Sequence, residues 1–464
     1  MIAQSNNKKS ILTLMVALLA ACVAFQLNAS MLSPVLVTIA KELGTNDAAV
    51  GFSQTSFFTA AALFSLFLPR LSDIKGRKKV LTVMLLIMTI GTILAAVAPN
   101  IEVLYAARII QGVSGPVVPL CLLMLSYEVK DVKQYGMLMG IITAVNGGIA
   151  GVDAIAGGLL ATYWGFRSVF WVIAVVAAIS TYLVYRFAPE SKPSAGTKMD
   201  WLGVILIVLT LAALLLALNE AGNLANANWL IVTGLTVFAI VCFILFWNVE
   251  KRNKQPLVTT THLKKRATWA LLLTTTLTMT GIFAIVNGLV MSLAQNHDIG
   301  FGLKPDWASL ILLTPYALIG WFVGPFSGRL APTIGYNNVL KLGLIGCIVG
   351  ILVILFYGVH SLPILSIGVI ALGVFYAGMA NIILNGLGVV LSPADNQGFL
   401  PGMNAGAFNL GAGLSFALLP AVQMINGNTM TGYFNGILVG LVITILALFS
   451  SFLIPRPINA EVTH

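Results

Sequence analysis

Apolar positions in this chain come in long runs, interrupted by short polar segments rather than alternating with polar residues. A run of about 20 residues is the length that carries a helix across a hydrocarbon core ~30 Å thick. Reading the runs between turn and charge signals predicts fourteen spans, at about 11–40, 48–69, 79–98, 102–126, 135–161, 167–187, 201–219, 229–249, 267–295, 306–328, 338–358, 362–391, 398–424 and 432–454. Lys8 and Lys9 before a run ending "LLAAC" at Cys22 have the look of a lipoprotein signal, but apolar sequence continues to about Ala40, which favours a first spanning helix.

The spans fall into groups. The first six end at "APESKPSAGTKMD", a Pro/Ser/Gly-rich stretch from Ala188, and the last six begin after "VEKRNKQPLVTTTHLKKR". Two spans lie between. The pattern predicts an all-α polytopic membrane protein with a duplicated core. Its parts are an N-terminal six-helix bundle over 1–187, a linker with two inserted helices over 188–266, and a C-terminal six-helix bundle over 267–464.

Composition agrees with a bilayer as the surroundings. Of 464 residues, 58% are hydrophobic and 9% charged, more apolar surface than a water-soluble fold can coat. The net charge of +10 sits in the segments between spans and forms no basic face, so no nucleic-acid partner is expected. With the N-terminus inside, the inner segments hold every Lys and Arg except Lys41, Arg108, Arg167 and Lys304. That bias places both termini in the cytoplasm, in a multi-pass protein of a bacterial inner membrane. Cys22, Cys121, Cys242 and Cys347 stand singly in apolar segments, with neither metal-ligand spacing nor a disulfide framework. His262, His297, His360 and His464 build no catalytic cluster, and no Gly-x-x-x-x-Gly-Lys-Ser/Thr loop is present to cradle ATP. No enzyme, cofactor or metal is expected.

Against this apolar background, "PRLSDIKGRKKV" from Pro69 to Val80 concentrates charge between spans two and three. Its order is Leu71, Asp73, Gly76, Arg77, Lys78. An echo, "GRLAPTIGYNNVLKLG" from Gly328, occupies the equivalent place in the second half, with Arg329, Leu330 and Gly335 in register and Pro332 where Asp73 would stand. A third stretch, "ARIIQGVSGPVVP", carries Arg108, Gln111, Gly112 and Gly115 in span four. A fourth, "NGGIAGVDAIAGGLLATYWGFRSVFWV", carries the Gly157-Gly158 pair and Asp153 in span five.

Together these stretches resemble the loop, fourth-span and fifth-span signatures of the major facilitator superfamily, in its fourteen-span drug:proton antiporter branch. The resemblance implies the fold of that superfamily and secondary active transport of a small amphipathic compound by alternating access, by a monomer. It casts Asp73, Gly76, Arg77 and Lys78, with Arg329 in the echo, as a conformational latch. Proton-coupled, drug-type efflux by antiport is the leading expectation. The alternative is transport of a defined organic anion, such as a bile-acid-like or nucleoside-like substrate.

The chain departs from the branch at three places, and the missing span-one Asp, with the presence of Arg108, gives the alternative weight. The branch has glycine where Pro69 stands, Gly-Pro where Asp153-Ala154 stands, and an Asp and a Thr in span one where Phe25 and Leu27 stand. Arg108 lies roughly 9 Å and Asp153 roughly 12 Å below the outer ends of their spans at 1.5 Å per residue. Opposite charges at similar depth on consecutive helices are expected to pair, either permanently or until a proton or substrate binds. Gln26, Asn28, Gln111, Asn146, Asn287, Tyr316, Tyr376, Asn381, Asn385, Asn404 and Asn409 are the polar candidates for a substrate cavity; Asn381 and Asn385 share a helix face.

Overall fold

A computed structural model describes residues 2–129, 132–191, 198–222, 227–257, 260–392 and 399–457. The regular elements among them are all helical. Thirteen helices among the described residues are long and apolar enough to cross a membrane. They are α1 (Ile11–Glu42), α2 (Asp47–Lys75), α3 (Arg77–Ala96), α4 (Ile101–Glu128), α6 (Phe166–Phe187), α7 (Trp201–Ala221), α8 (Trp229–Arg252), α9 (Arg266–Gln295), α10 (Pro305–Ile334), α11 (Tyr336–His360), α12 (Leu362–Val390), α13 (Phe399–Ile425) and α14 (Met430–Ser451). α5 (Val132–Trp164) completes the expected fourteen.

The charged stretch Pro69–Val80 differs from expectation. It is not a loop but the last turns of α2, a corner at Gly76, and the first turn of α3. Pro69 sits inside α2, where it has no N–H to give the Ser65 carbonyl; the Ser72 hydroxyl donates to the Pro69 carbonyl at 2.6 Å. Gly76 turns the chain with φ 101° and ψ 131°, a conformation that L side chains rarely adopt. Gly335, between α10 and α11, has φ 95° and ψ 131°. Each glycine donates its N–H to the carbonyl four residues back, at Ser72 and Ala331. The sequence echo is thus also an echo of backbone geometry.

The first six helices and the last six meet along two seams, α2 against α13 and α5 against α10. Small residues set the spacing, as expected where dispersion rather than the hydrophobic effect holds helices together. Thr55 donates to the Gly413 carbonyl at 2.8 Å, and Thr314 to the Gly151 carbonyl at 2.9 Å. The double glycine of α5 serves both neighbours. A Cβ on Gly157 would stand 2.3 Å from the Met31 carbonyl of α1, and one on Gly158 would stand 2.7 Å from the Pro305 carbonyl of α10.

The inserted pair lies outside this core. α7 packs on α2 and α13 at the seam, and α8 packs mainly on α7. Only 17% of the apolar window of α8 is buried, against 83% for α9. α8 therefore shows most of its side chains to lipid, while α9 runs through the centre.

The two faces of the bundle are fastened differently. At the face where α2 begins, here the Asp47 face, Ser292 of α9 donates to Asp47 and lies 2.6 Å from the Tyr433 hydroxyl of α14. Thr162 of α5 donates to Asp306 of α10 at 3.1 Å, and Gln295 to the Pro34 carbonyl at 3.0 Å. At the opposite, Arg77 face, Arg70 donates to the carbonyls of Pro256, Gln255 and Lys198. This one guanidinium joins α2 to both linkers of the inserted pair.

Candidate functional site

α1 runs through the middle of the charged centre. It is helical to Ser30, passes through a tighter turn at Ser33–Val35 around Pro34, and resumes at Leu36. Arg108 and Asp153 both reach the Gln26–Ser30 turn, so their depths agree as expected, but they do not pair. Among the described residues the ion pairs are Asp73–Arg77 and Glu42–Arg167. Arg108 donates to the Asn28 carbonyl at 3.3 Å, while Asp153 accepts from the Ser30 hydroxyl at 2.5 Å. Two residues along a helix are roughly 200° apart around its axis, so α1 stands between the charges. Depth followed from counting residues; the direction each side chain takes did not.

Arg108 is completely buried. It donates to Gln111 at 2.6 Å and to Gln54 of α2 at 2.5 Å, and its guanidinium carbon lies 4.1 Å from the centre of the Phe57 ring. Gln111 passes the network to Thr92 of α3 at 3.0 Å. The charge is thus held by neutral acceptors and a π face, which satisfy a guanidinium without a carboxylate. Gln111 belongs to this shell rather than to a substrate wall. Gln54 and Phe57 escaped the sequence reading, because nothing in their local pattern marks them as partners of a residue on α4.

Asp153 is 2% exposed, so it does not face lipid. Its Oδ2 takes the Ser30 contact, and Oδ1 is buried with no side-chain partner among the described residues. Ser30 also lies 3.0 Å from Gln26 Nε2 and 3.0 Å from the Gln26 carbonyl.

The other polar candidates separate into spent and unspent groups. Asn404 accepts from Thr275 at 2.7 Å and donates to the Leu384 carbonyl at 3.1 Å, which makes it a buried tie between α9, α12 and α13. Tyr376 is buried and donates to the Met279 sulfur. Asn287 accepts from Ser33 at 3.0 Å and donates to the Phe283 carbonyl at 3.1 Å, so it joins α9 to the break in α1. Asn385 is exposed and donates to the Asn381 carbonyl at 2.9 Å. Among the described residues, Asn28 is buried with no partner for either amide atom, and Asn146 has a buried Oδ1 with none. Gln26, Tyr316, Asn381 and Asn409 are half-buried.

Two features near the centre were not anticipated. The first is aromatic. Phe58 of α2, Phe283 of α9 and Phe416 of α13 meet across the α2–α13 seam. Their ring centres are 5.4 Å apart for Phe58–Phe283 and 5.9 Å for Phe283–Phe416. Phe283 is half-buried and one helical turn from Asn287, whose side chain returns to it. The second is widened helix: π-helical turns cover Ile285–Leu289, Ser309–Leu313 and Gly373–Ala380. Such turns occur often at functional sites, and Asn287 and Tyr376 lie in two of them.

A pocket of 530 Å³ lies away from these groups, between the inserted pair and the seam, lined by residues such as Leu66, Leu211, Phe243, Leu273 and Met403. None of the polar candidates lines it. At the Arg77 face, Asp73 pairs with Arg77 at 2.9 Å, and Arg77 also donates to the Leu123 carbonyl of α4 at 2.9 Å. The amide end of α3 is occupied by residues the sequence reading passed over. Glu190 accepts from the N–H groups of Lys78 and Lys79, each at 3.1 Å, and Ser191 accepts from that of Arg77 at 3.0 Å. The Lys78 ammonium stands over the Tyr185 ring. Arg329 of the echo is exposed.

Comparison with known proteins places this arrangement. The model of the Major Facilitator Superfamily matches residues 18–416. The uridine/deoxyuridine transporter of Lactococcus lactis subsp. cremoris is 52% identical over 461 residues, covering 97% of this chain and 96% of that protein. The multidrug resistance protein Stp of Mycobacterium tuberculosis is 25% identical, covering 90% of this chain and 76% of that one. Among solved structures, the nucleoside transporter NupG superposes with a TM-score of 0.64 at 15% identity, covering 95% of this chain and 99% of that one. A fold match at that identity speaks for architecture alone. With the family model spanning most of the chain and a relative at this identity end to end, this multi-pass membrane transporter, which is not an enzyme, belongs to the major facilitator superfamily.

Proposed function

We propose that this protein carries a pyrimidine nucleoside of the uridine type across the cell membrane by alternating access. The observation that carries the reading is the 52% identity, over nearly the whole of both chains, to a uridine/deoxyuridine transporter. The chemistry of the centre supports it. A nucleoside is neutral, with a flat base and hydroxyl and amide edges. Asn28 and Asn146 offer unpartnered amide atoms, and the Phe283 ring is a platform on which a base can stack. A cationic drug finds no carboxylate at the span-one position where the branch carries one, since Phe25 and Leu27 replace the branch's acidic and hydroxyl residues. An organic anion finds Arg108 walled off by Gln54, Gln111 and Phe57.

In this reading the two six-helix bundles, over 1–187 and 267–464, rock about the α2–α13 and α5–α10 seams, with the inserted pair as a brace. The single chain contains both bundles and works as a monomer. The basic residues at the Arg77 face support a reading in which that face and both termini lie in the cytoplasm of a bacterium. The test is uptake of labelled uridine by proteoliposomes holding the purified protein, with deoxyuridine, adenosine and a cationic dye as competitors. Saturable uptake blocked by deoxyuridine and indifferent to the dye is expected. Dye transport without uridine transport would instead favour the multidrug reading that the similarity to Stp suggests.

A further inference from the structure

Ser30 has more neighbours than one hydroxyl can serve in a single state. A serine hydroxyl has one hydrogen to give and two lone pairs to receive. Gln26 Nε2, a donor, fills one lone pair at 3.0 Å. Two acceptors then compete for the single hydrogen, the Gln26 carbonyl at 3.0 Å and Asp153 Oδ2 at 2.5 Å. When Asp153 is ionised, the hydrogen points to the carboxylate and the Gln26 carbonyl keeps only its helical partner. When Asp153 carries a proton on Oδ2, that proton is donated to Ser30, and the Ser30 hydrogen turns to the Gln26 carbonyl. Asp153 Oδ2, the Ser30 hydroxyl and Gln26 Nε2 are thus bonded in both states, and only the target of the Ser30 hydrogen changes.

We propose that Asp153 and Ser30 form a proton-binding site in the membrane, in which protonation of the carboxyl reverses the Ser30 hydroxyl, replaces a charge-assisted bond with a neutral one and loosens the grip of α5 on α1.

The surroundings fit this use. Among the described residues, no other titratable or charged group on the elements packed against α5 is bonded to Asp153. Arg108 of α4 is turned to Gln54, Gln111 and the far side of α1. Asp306 of α10 is bonded to Thr162, and Arg167 of α6 is paired with Glu42 of α1. Cys121 of α4 reaches the Leu18 carbonyl, and Tyr316 of α10 carries a phenol rather than a charge. Ser30 is thus the side chain that answers to Asp153. The site is also well placed to act at a distance. Three residues beyond Ser30, α1 breaks at Ser33–Val35, and Ser33 is bonded to Asn287 of the second half. A change in how α5 holds the Gln26–Ser30 turn is delivered directly to that joint.

The proton site rests on the nucleoside-transport reading only for its consequence in transport, so its test has a substrate-free arm. In infrared difference spectra of the purified protein between acid and alkaline pH, a protonated-carboxyl band should be present. Asp153→Asn should abolish it. Ser30→Ala should shift it, because the acid then loses its acceptor, and Ser30→Thr should restore it. In proteoliposomes, the pH dependence of uridine uptake should be lost in Asp153→Asn, should move in Ser30→Ala and should return in Ser30→Thr, while uridine counterflow at equal pH persists. A band that survives Asp153→Asn or ignores Ser30→Ala overturns the proposal, as does an unaltered pH profile in both variants. Should Asp153→Asn fail to assemble, Ser30→Ala, which keeps the carboxyl, decides. A wild-type band with no uridine transport would sink the substrate reading and leave the proton site standing.

Discussion

Gly76 is constrained twice. Its φ of 101° disfavours any side chain, and a Cβ there would stand 2.5 Å from Glu190 Oε1, the atom that accepts from the Lys78 amide. Gly76→Ala should therefore cost about 1–3 kcal/mol from backbone strain, and more if Glu190 is displaced. Thermal melting of the detergent-solubilised protein should show it, with Ser72→Ala as a milder control. Phe283 is where the proposed stacking of a nucleoside base can be tested apart from folding. If a base stacks on its ring, Phe283→Ala should raise the KM for uridine by the equivalent of about 1–3 kcal/mol, roughly fivefold to 150-fold. Phe283→Tyr should retain most of the affinity. Equal loss in both variants would show that the ring acts only as packing against Phe58 and Phe416. The sequence revealed the depth of Arg108 and Asp153 but not their azimuth, because a rise per residue is uniform while a side chain's direction depends on the neighbours. That is why the expected ion pair resolved into two separate contacts on α1. It is also why Phe283, one aromatic among 24 phenylalanines, could not be singled out by pattern.

At the scale of elements, the helices were legible because a bilayer makes one demand on all of them: a long apolar run with every backbone group bonded internally. The ends were less legible, and the charged corner shows why. Charge usually marks where a span stops, yet α2 continues to Lys75 and α3 starts at Arg77. The helix persists through the charges because Asp73 and Arg77 bond one turn apart, while Glu190 and Ser191 occupy the amides that α3 would otherwise leave bare. An acidic residue at a helix N-terminus is favourable, but Glu190 arrives from more than a hundred residues away, which local sequence cannot show. Glu190 is exposed, so its contribution is screened. Glu190→Ala should destabilise the protein by no more than about 1 kcal/mol, and the difference should shrink in high salt. Asp73→Asn, which breaks the pair with Arg77, should lower the transport rate at saturating substrate more than it alters KM if this corner is a latch. A change confined to KM would remove the corner from the conformational cycle.

Across the whole molecule, the halves are fastened at the Asp47 face by carboxylates that accept from hydroxyls rather than by ion pairs. Asp47 reaches across to Ser292, and Asp306 accepts from Thr162, at opposite sides of the bundle. Alternating access requires such fastenings to be weak enough to open within a turnover and strong enough to hold one conformation between turnovers. Hydrogen bonds contribute about 1 kcal/mol net each, which suits both needs, whereas a buried ion pair is harder to break. The two clasps share no residues, so their effects should add. Asp47→Ala leaves the Ser292–Tyr433 contact intact and removes only the link between halves. Each of Asp47→Ala and Asp306→Ala should raise the population open at this face by about fivefold, and the double variant by roughly 25-fold. Spin labels at Lys41 and Asp298, both exposed at the Asp47 face, would report it as a growing long-distance component. The transport rate should respond in the opposite sense once opening is too easy, because a carrier that rarely closes cannot complete its cycle. A double variant whose distance distribution matches that of the wild type would show that the seams of small residues, not these clasps, hold the halves together.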